Sequence, residues 1–130
     1  MNRKNLFFHL LLAVVLSFIL TGCQKKIGIG SDDLFNTYFG LTRSEVQDIA
    51  PKYETFEGLK SWAKIDEKDG FELYVAFSDY GRVFGMGMSY NPLVKNRYQA
   101  EEIMGIPSYA HCNKNTFGNN LESLDCFRDF

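Results

Sequence analysis

The sequence predicts an α+β fold: a small antiparallel sheet of about three or more strands with two or three short helices packed on one face. Three observations carry that expectation. Residues Phe71 to Ser78 alternate strictly between apolar and mixed positions, Thr42-Arg43-Ser44-Glu45 reads as a helix start, and Gly105-Ile106-Pro107 reads as a helix stop.

The chain opens with Arg3 and Lys4, then an apolar run from Leu6 to about Leu20, then Leu20-Thr21-Gly22-Cys23. A basic end, a short apolar segment and small residues before a cleavage point form a secretory signal. The run is shorter than the roughly 20 residues a membrane span needs. Residues 1–22 are therefore expected to be a removed signal peptide. Gln24 to Gly30 then form a short tether, which reaches at most about 27 Å when fully extended.

From Ser31 onward a single domain through residue 130 is expected. Ser31-Asp32-Asp33 can cap a short helix ending near Gly40, although Asn36 to Phe39 would equally suit a strand. Thr42 and Glu45 match a capping box, in which each side chain satisfies an orphan amide of the other residue. Leu41 is placed to staple onto Val46, and Pro51 stops the helix. Trp62 to Ile65 reads as a first strand, with a turn at Asp66 to Gly70. In Phe71 to Ser78, Phe71, Leu73, Val75 and Phe77 share one face, and Glu72, Tyr74, Ala76 and Ser78 the other.

Asp79-Tyr80-Gly81 makes the next turn, and Arg82 to Tyr90 returns. The alternation places Phe84, Met86, Met88 and Tyr90 together, opposite Val83, Gly85, Gly87 and Ser89. The paired glycines either let a helix or ring approach closely, or leave a smooth patch on which methionines serve as adaptable contacts. A further helix is expected from Asn96 to Met104. The remainder is polar and turn-rich. There Cys112 and Cys126 are expected to form a disulfide closing a loop of about 15 residues, the alternative being two free buried thiols. Phe127 and Phe130 are placed to pack back onto the core.

Removing residues 1–22 takes away Arg3 and Lys4 and moves the net charge from −2 to −4. With no basic block, nucleic acid is not an expected partner. Trp62, seven tyrosines and nine of the twelve phenylalanines remain, a supply that serves a core, an interface or both. His111 is the only histidine after residue 22, so a metal site is not expected, nor are catalytic residues. No Gly-x-Ser-x-Gly, His-Glu-x-x-His or Cys-x-x-Cys motif is present.

Leu20-Thr21-Gly22-Cys23 resembles the lipobox of bacterial lipoproteins. The resemblance implies that Cys23 carries a covalent diacylglycerol and an N-acyl chain, with no other cofactor. Gln24, where an Asp would signal inner-membrane retention, implies the periplasmic face of a Gram-negative outer membrane. Gly40-Leu41-Thr42-Arg43-Ser44-Glu45-Val46 resembles the Gly-Met-Thr-x-x-x-Val helix start of the SmpA/OmlA family of outer-membrane assembly lipoproteins, which shares its architecture with β-lactamase-inhibitor-protein-like domains. The hairpin from Phe71 to Met88 resembles that family's sheet, and Ile103 to Pro107 its Leu-Gly-x-Pro helix end, here placed after the strands.

The expectation for function is a lipid-anchored, non-enzymatic module. It would be held to a membrane by its acyl chains and bind an envelope or periplasmic protein through Tyr74, Tyr80, Arg82, Met86 and Tyr90. Two alternatives stand beside it: an immunity or inhibitor lipoprotein that occludes an enzyme, and a carrier of a small apolar ligand.

Overall fold

The computed structural model describes residues 25–118 and 120–129. The signal-peptide reading, the lipid site at Cys23 and the packing of Phe130 lie outside them. The described chain is α+β and sheet-dominated. It contains helices α1 (Leu34–Tyr38), α2 (Arg43–Ile49) and α3 (Arg97–Met104). Strands β1 (Glu54–Phe56), β2 (Leu59–Lys68), β3 (Phe71–Phe77), β4 (Val83–Tyr90), β5 (His111–Thr116) and β6 (Glu122–Phe127) form one sheet. Their order is β1-β2-β3-β4-β6-β5, and every neighbouring pair is antiparallel.

The helix ends follow their side-chain chemistry. Thr42 Oγ1 accepts from the Glu45 amide, and the Thr42 amide donates to Glu45 at 3.1 Å, completing the capping box of α2. These bonds hold the Glu45 carboxyl below its ordinary value, the Thr42 amide contributing most. The box is therefore fully formed at neutral pH and is lost as pH falls through Glu45's depressed pKa. Thr42→Ala is expected to cost about 1 kcal/mol in a urea titration at pH 7, and less in strong acid. Asn96 and Gln99 form a second box at α3, and Gly105, at φ 65°, closes that helix in the left-handed conformation.

The core joins Leu34, Phe35, Tyr38, Val46, Ala100 and Met104 of the helices to Leu73, Val75, Met86, Met88 and Leu124 of the strands. Register explains the strand set, since Leu73 lies opposite Met88, Val75 opposite Met86, and Met88 opposite Leu124. A bulge between Ala76 and Phe77 pairs Phe77 with Val83. This corrects the expected division of β4: Val83 is buried with the core, while Phe84 packs its ring on Phe127 at 5.2 Å. One extra residue in a strand reverses the alternation beyond it.

The C-terminal segment, expected to be loose, is the β5–β6 hairpin. Cys112 and Cys126 face each other across it and are disulfide-bonded. The tether also departs from expectation. The Ile27 amide donates to the Ile49 carbonyl at 2.7 Å, and the Ile29 amide to Asp66 Oδ2 at 2.7 Å. Gly28 between them is buried, and a Cβ there would lie 2.5 Å from the Pro51 ring. Residues 27–30 belong to the domain.

Candidate functional site

Register assembles a second set of side chains, which alternates with the core set on the same strands. Trp62, Ala76, Gly85 and Phe127 form one cross-strand row; Lys64, Tyr74, Gly87 and Asp125 form the next; Glu67, Glu72, Ser89 and Ser123 form a third. In the first row the small residues Ala76 and Gly85 separate two large rings. Trp62 and Phe127 meet edge to face at 6.0 Å. A Cβ on Gly85 would lie 2.8 Å from the Phe127 ring and 2.9 Å from the Cys126 carbonyl, so only glycine admits that ring. The close-approach reading of the paired glycines therefore holds: a ring approaches Gly85, and the Asp125 carboxylate with the Trp62 ring approaches Gly87.

Two clefts lie on this face and share Trp62 as a wall. One, of about 440 Å³, is bounded by Trp62, Phe84 and Phe127 and by Ser78 and Asp79 of the β3–β4 turn. The other, of about 310 Å³, lies between Trp62 and Tyr74 on one side and Phe117 and Leu121 of the β5–β6 turn on the other. Leu59 adds to its rim, and Glu72 and Asp125 line it. Leu59, Phe117 and Leu121 are all exposed.

The polar groups are organised. Glu72 Oε2 accepts from the Tyr74 hydroxyl and from Ser89 Oγ, the latter at 3.3 Å. Asp125 Oδ2 accepts from Asn115 at 3.0 Å and from Ser123 at 3.5 Å. Lys64 beside them pairs with Glu67 at 3.3 Å and Glu54 at 3.5 Å. Burial, followed by the bond to Glu72, pushes the Tyr74 hydroxyl well above its ordinary value, so it remains a donor throughout the working range.

Burial also raises the Asp125 carboxyl, against the lowering effect of its two hydrogen bonds. A raised folded-state pKa contributes stability in acid that is lost as pH rises through it. Asp125→Asn is therefore expected to raise the melting temperature at pH 7, and this gain should shrink as pH falls through about 4, as the carboxyl becomes neutral in the folded chain and then in the unfolded one. A melting series from pH 3 to 8 reads this directly.

Of the five expected contact residues, the structure places only Tyr74 on this face. Tyr80 is 91% exposed in the β3–β4 turn. Arg82 is exposed, but its guanidinium donates to the Gly40 carbonyl at 2.9 Å and ties down the entrance to α2. Met86 and Tyr90 must be corrected. They are 1% and 2% exposed, and Tyr90 gives its hydroxyl to Glu122 at 2.6 Å. Register puts Met86 on the core side, opposite Val75 and Cys126, where no partner reaches it. Trp62, Phe127, Leu59, Phe117 and Leu121 were not foreseen as site residues.

Among the described residues, no three His, Cys, Asp or Glu side chains converge as a metal site, and no helix is long and apolar enough to cross a membrane. No family model, curated protein or solved structure matches the chain.

Proposed function

We propose that this chain is a lipid-anchored, non-enzymatic protein-binding module of the cell envelope, and that the face bearing Trp62, Tyr74 and Phe127 is its docking surface. In this reading the three helices all cover the opposite face and leave this one to the partner. The observation that carries the proposal is the composition of the face. Partly exposed Trp, Tyr and Phe rings surround two clefts, with exposed Leu59, Phe117 and Leu121 at the rim. Aromatic anchors in such depressions concentrate binding energy at protein interfaces.

The lipobox resemblance supplies the anchor at Cys23 and the outer-membrane setting, and the SmpA/OmlA resemblance suggests support of outer-membrane assembly as the context. Because Ile27 is already fixed to α2, only about four residues separate the proposed lipid from the folded domain, a reach of about 13 Å. The partner would then meet this face close to the bilayer. The carboxylates Glu72 and Asp125 in the cleft favour, as a second reading, an inhibitor or immunity lipoprotein that occludes an enzyme's cationic site.

Photocrosslinking in intact cells tests the proposal. A benzoylphenylalanine at position 59 or 121 is expected to capture one discrete protein, and the same probe at Gln47 on α2 is not. Trp62→Ala should reduce that capture at least about tenfold, the loss expected of a hot-spot aromatic. Equal capture from position 47, or none from 59 and 121, would sink the assignment of this face.

A further inference from the structure

We infer that the cleft between Trp62, Tyr74 and the β5–β6 turn receives a basic side chain, an arginine or lysine flanked by apolar residues, from the partner protein. This rests on the protein-docking reading of the face and specifies the chemistry of what docks.

Three features of the cleft converge on a cation. The first is its charge. Glu72 and Asp125 line the cleft, and no lysine or arginine does; Lys64, outside the lining, pairs with Glu54 and Glu67 and also lies in the field of Glu72. The second is how the two carboxylates are held. Each takes its hydrogen bonds on one oxygen, Oε2 of Glu72 and Oδ2 of Asp125. Glu72 Oε1 and Asp125 Oδ1 are left with no donor among the described residues. A carboxylate fixed by one oxygen and open at the other is oriented in advance for an incoming N–H.

The third feature is shape. The Asp125 carboxylate lies over the backbone of Gly87, where a Cβ would also come within 3.2 Å of the Trp62 ring. Glycine at this position makes room for Asp125 Oδ1, the oxygen without a donor, to settle on the strand beside the indole. A guanidinium or ammonium entering there has the rings of Trp62 and Tyr74 and the carboxylates of Glu72 and Asp125 around it. Its aliphatic stem, and the apolar neighbours in its chain, meet Leu59, Phe117 and Leu121 at the rim. An acidic or purely apolar segment would leave both free oxygens without a partner as the cleft closed over them.

Trp62 is the only tryptophan, so its fluorescence reports on this face, and since Trp62 also walls the cleft beside Phe84, the substitutions at Glu72 and Asp125 assign the response to this one. The lipidated full-length chain in detergent micelles is titrated with acetyl-Leu-Ala-Arg-Leu-Ala-amide and with the same peptide carrying citrulline, the neutral near-isostere of arginine. The arginine peptide is expected to shift the Trp62 emission saturably and to bind about tenfold more tightly than the citrulline peptide, a difference of about 1.4 kcal/mol. Glu72→Gln with Asp125→Asn is expected to bring that ratio to about one. Equal binding of the two peptides to the unaltered protein would overturn the inference, and so would a preference that survives the double substitution. No response to either peptide would remove the basic segment as occupant. The crosslinking experiment judges the docking face itself, so the two failures are distinguishable.

Discussion

Replacing Cys112 and Cys126 together with alanine is expected to lower the stability of the domain by about 3 kcal/mol, the loop-entropy value for a bridge of this span. The two cysteines are 14 positions apart and stand opposite each other on β5 and β6. The local consequence should exceed the global one. β5 is an edge strand whose residues, apart from half-buried Cys112, are exposed. It keeps one neighbour, β6, and has few apolar contacts to offset the loss of its covalent tie. Urea titration of the oxidised protein against the double variant measures the total. Amide exchange locates it: β5 amides should accelerate by clearly more than those of β3 and β4. Uniform acceleration across the sheet would show that the bridge supports the whole fold instead of pinning its edge.

Asp66→Ala is expected to cost about 2–3 kcal/mol and to release residues 27–30 from the domain. Asp66 is buried and accepts two backbone amides, Ile29 at Oδ2 and Glu67 at Oδ1, the latter at 2.8 Å. Removing the acceptor leaves these donors unsatisfied, each at a cost of about 1–3 kcal/mol. Gly28→Ala should act in the same direction, because its new Cβ would lie 2.9 Å from the Asp66 carboxyl carbon. Limited proteolysis between Lys25 and Ser31 checks both variants: resistance in the parent and rapid cleavage in each variant are expected. The functional effect would follow from length. With the anchor proposed at Cys23, freeing Ile27 to Gly30 would extend the leash from about 13 to about 27 Å. Capture of a partner at a fixed height above the membrane should then weaken although the docking face is unchanged.

The parts of the fold legible in the sequence were those whose signals are local. Thr42 with Glu45, Asn96 before α3 and Gly105 after it mark helix ends within a few residues, and β3 shows its alternation because one side is core and the other is not. β5 gave no such signal. His-Cys-Asn-Lys-Asn-Thr is polar throughout because an edge strand with most of its residues in water needs no apolar periodicity. β6 does carry inward Leu124 and Cys126, but so short an apolar pair beside an Asn- and Gly-rich turn is a weak strand signal.

The face proposed for docking was less legible for a different reason. Alternation divides a strand into two sets of side chains without saying which set the rest of the chain covers. Tyr74 and Met86 belong to opposite sets, and only the pairing of Tyr74 with Gly87 makes this visible. Trp62 and Phe127 come together from β2 and β6 across two intervening strands. Their one sequence trace is Gly85, the gap left for Phe127.

The ends of the sheet decide how a partner can approach. β1 is three residues long and irregular between Thr55 and Phe56, and the edge strand β5 carries the polar run Asn113, Lys114 and Asn115. Short, bulged and charged edges discourage another chain from joining the hydrogen-bond ladder. In the proposed reading, recognition then falls to side chains on a broad surface. If the chain is held on a membrane as proposed, the same blunting would also discourage crowded copies from joining edge to edge.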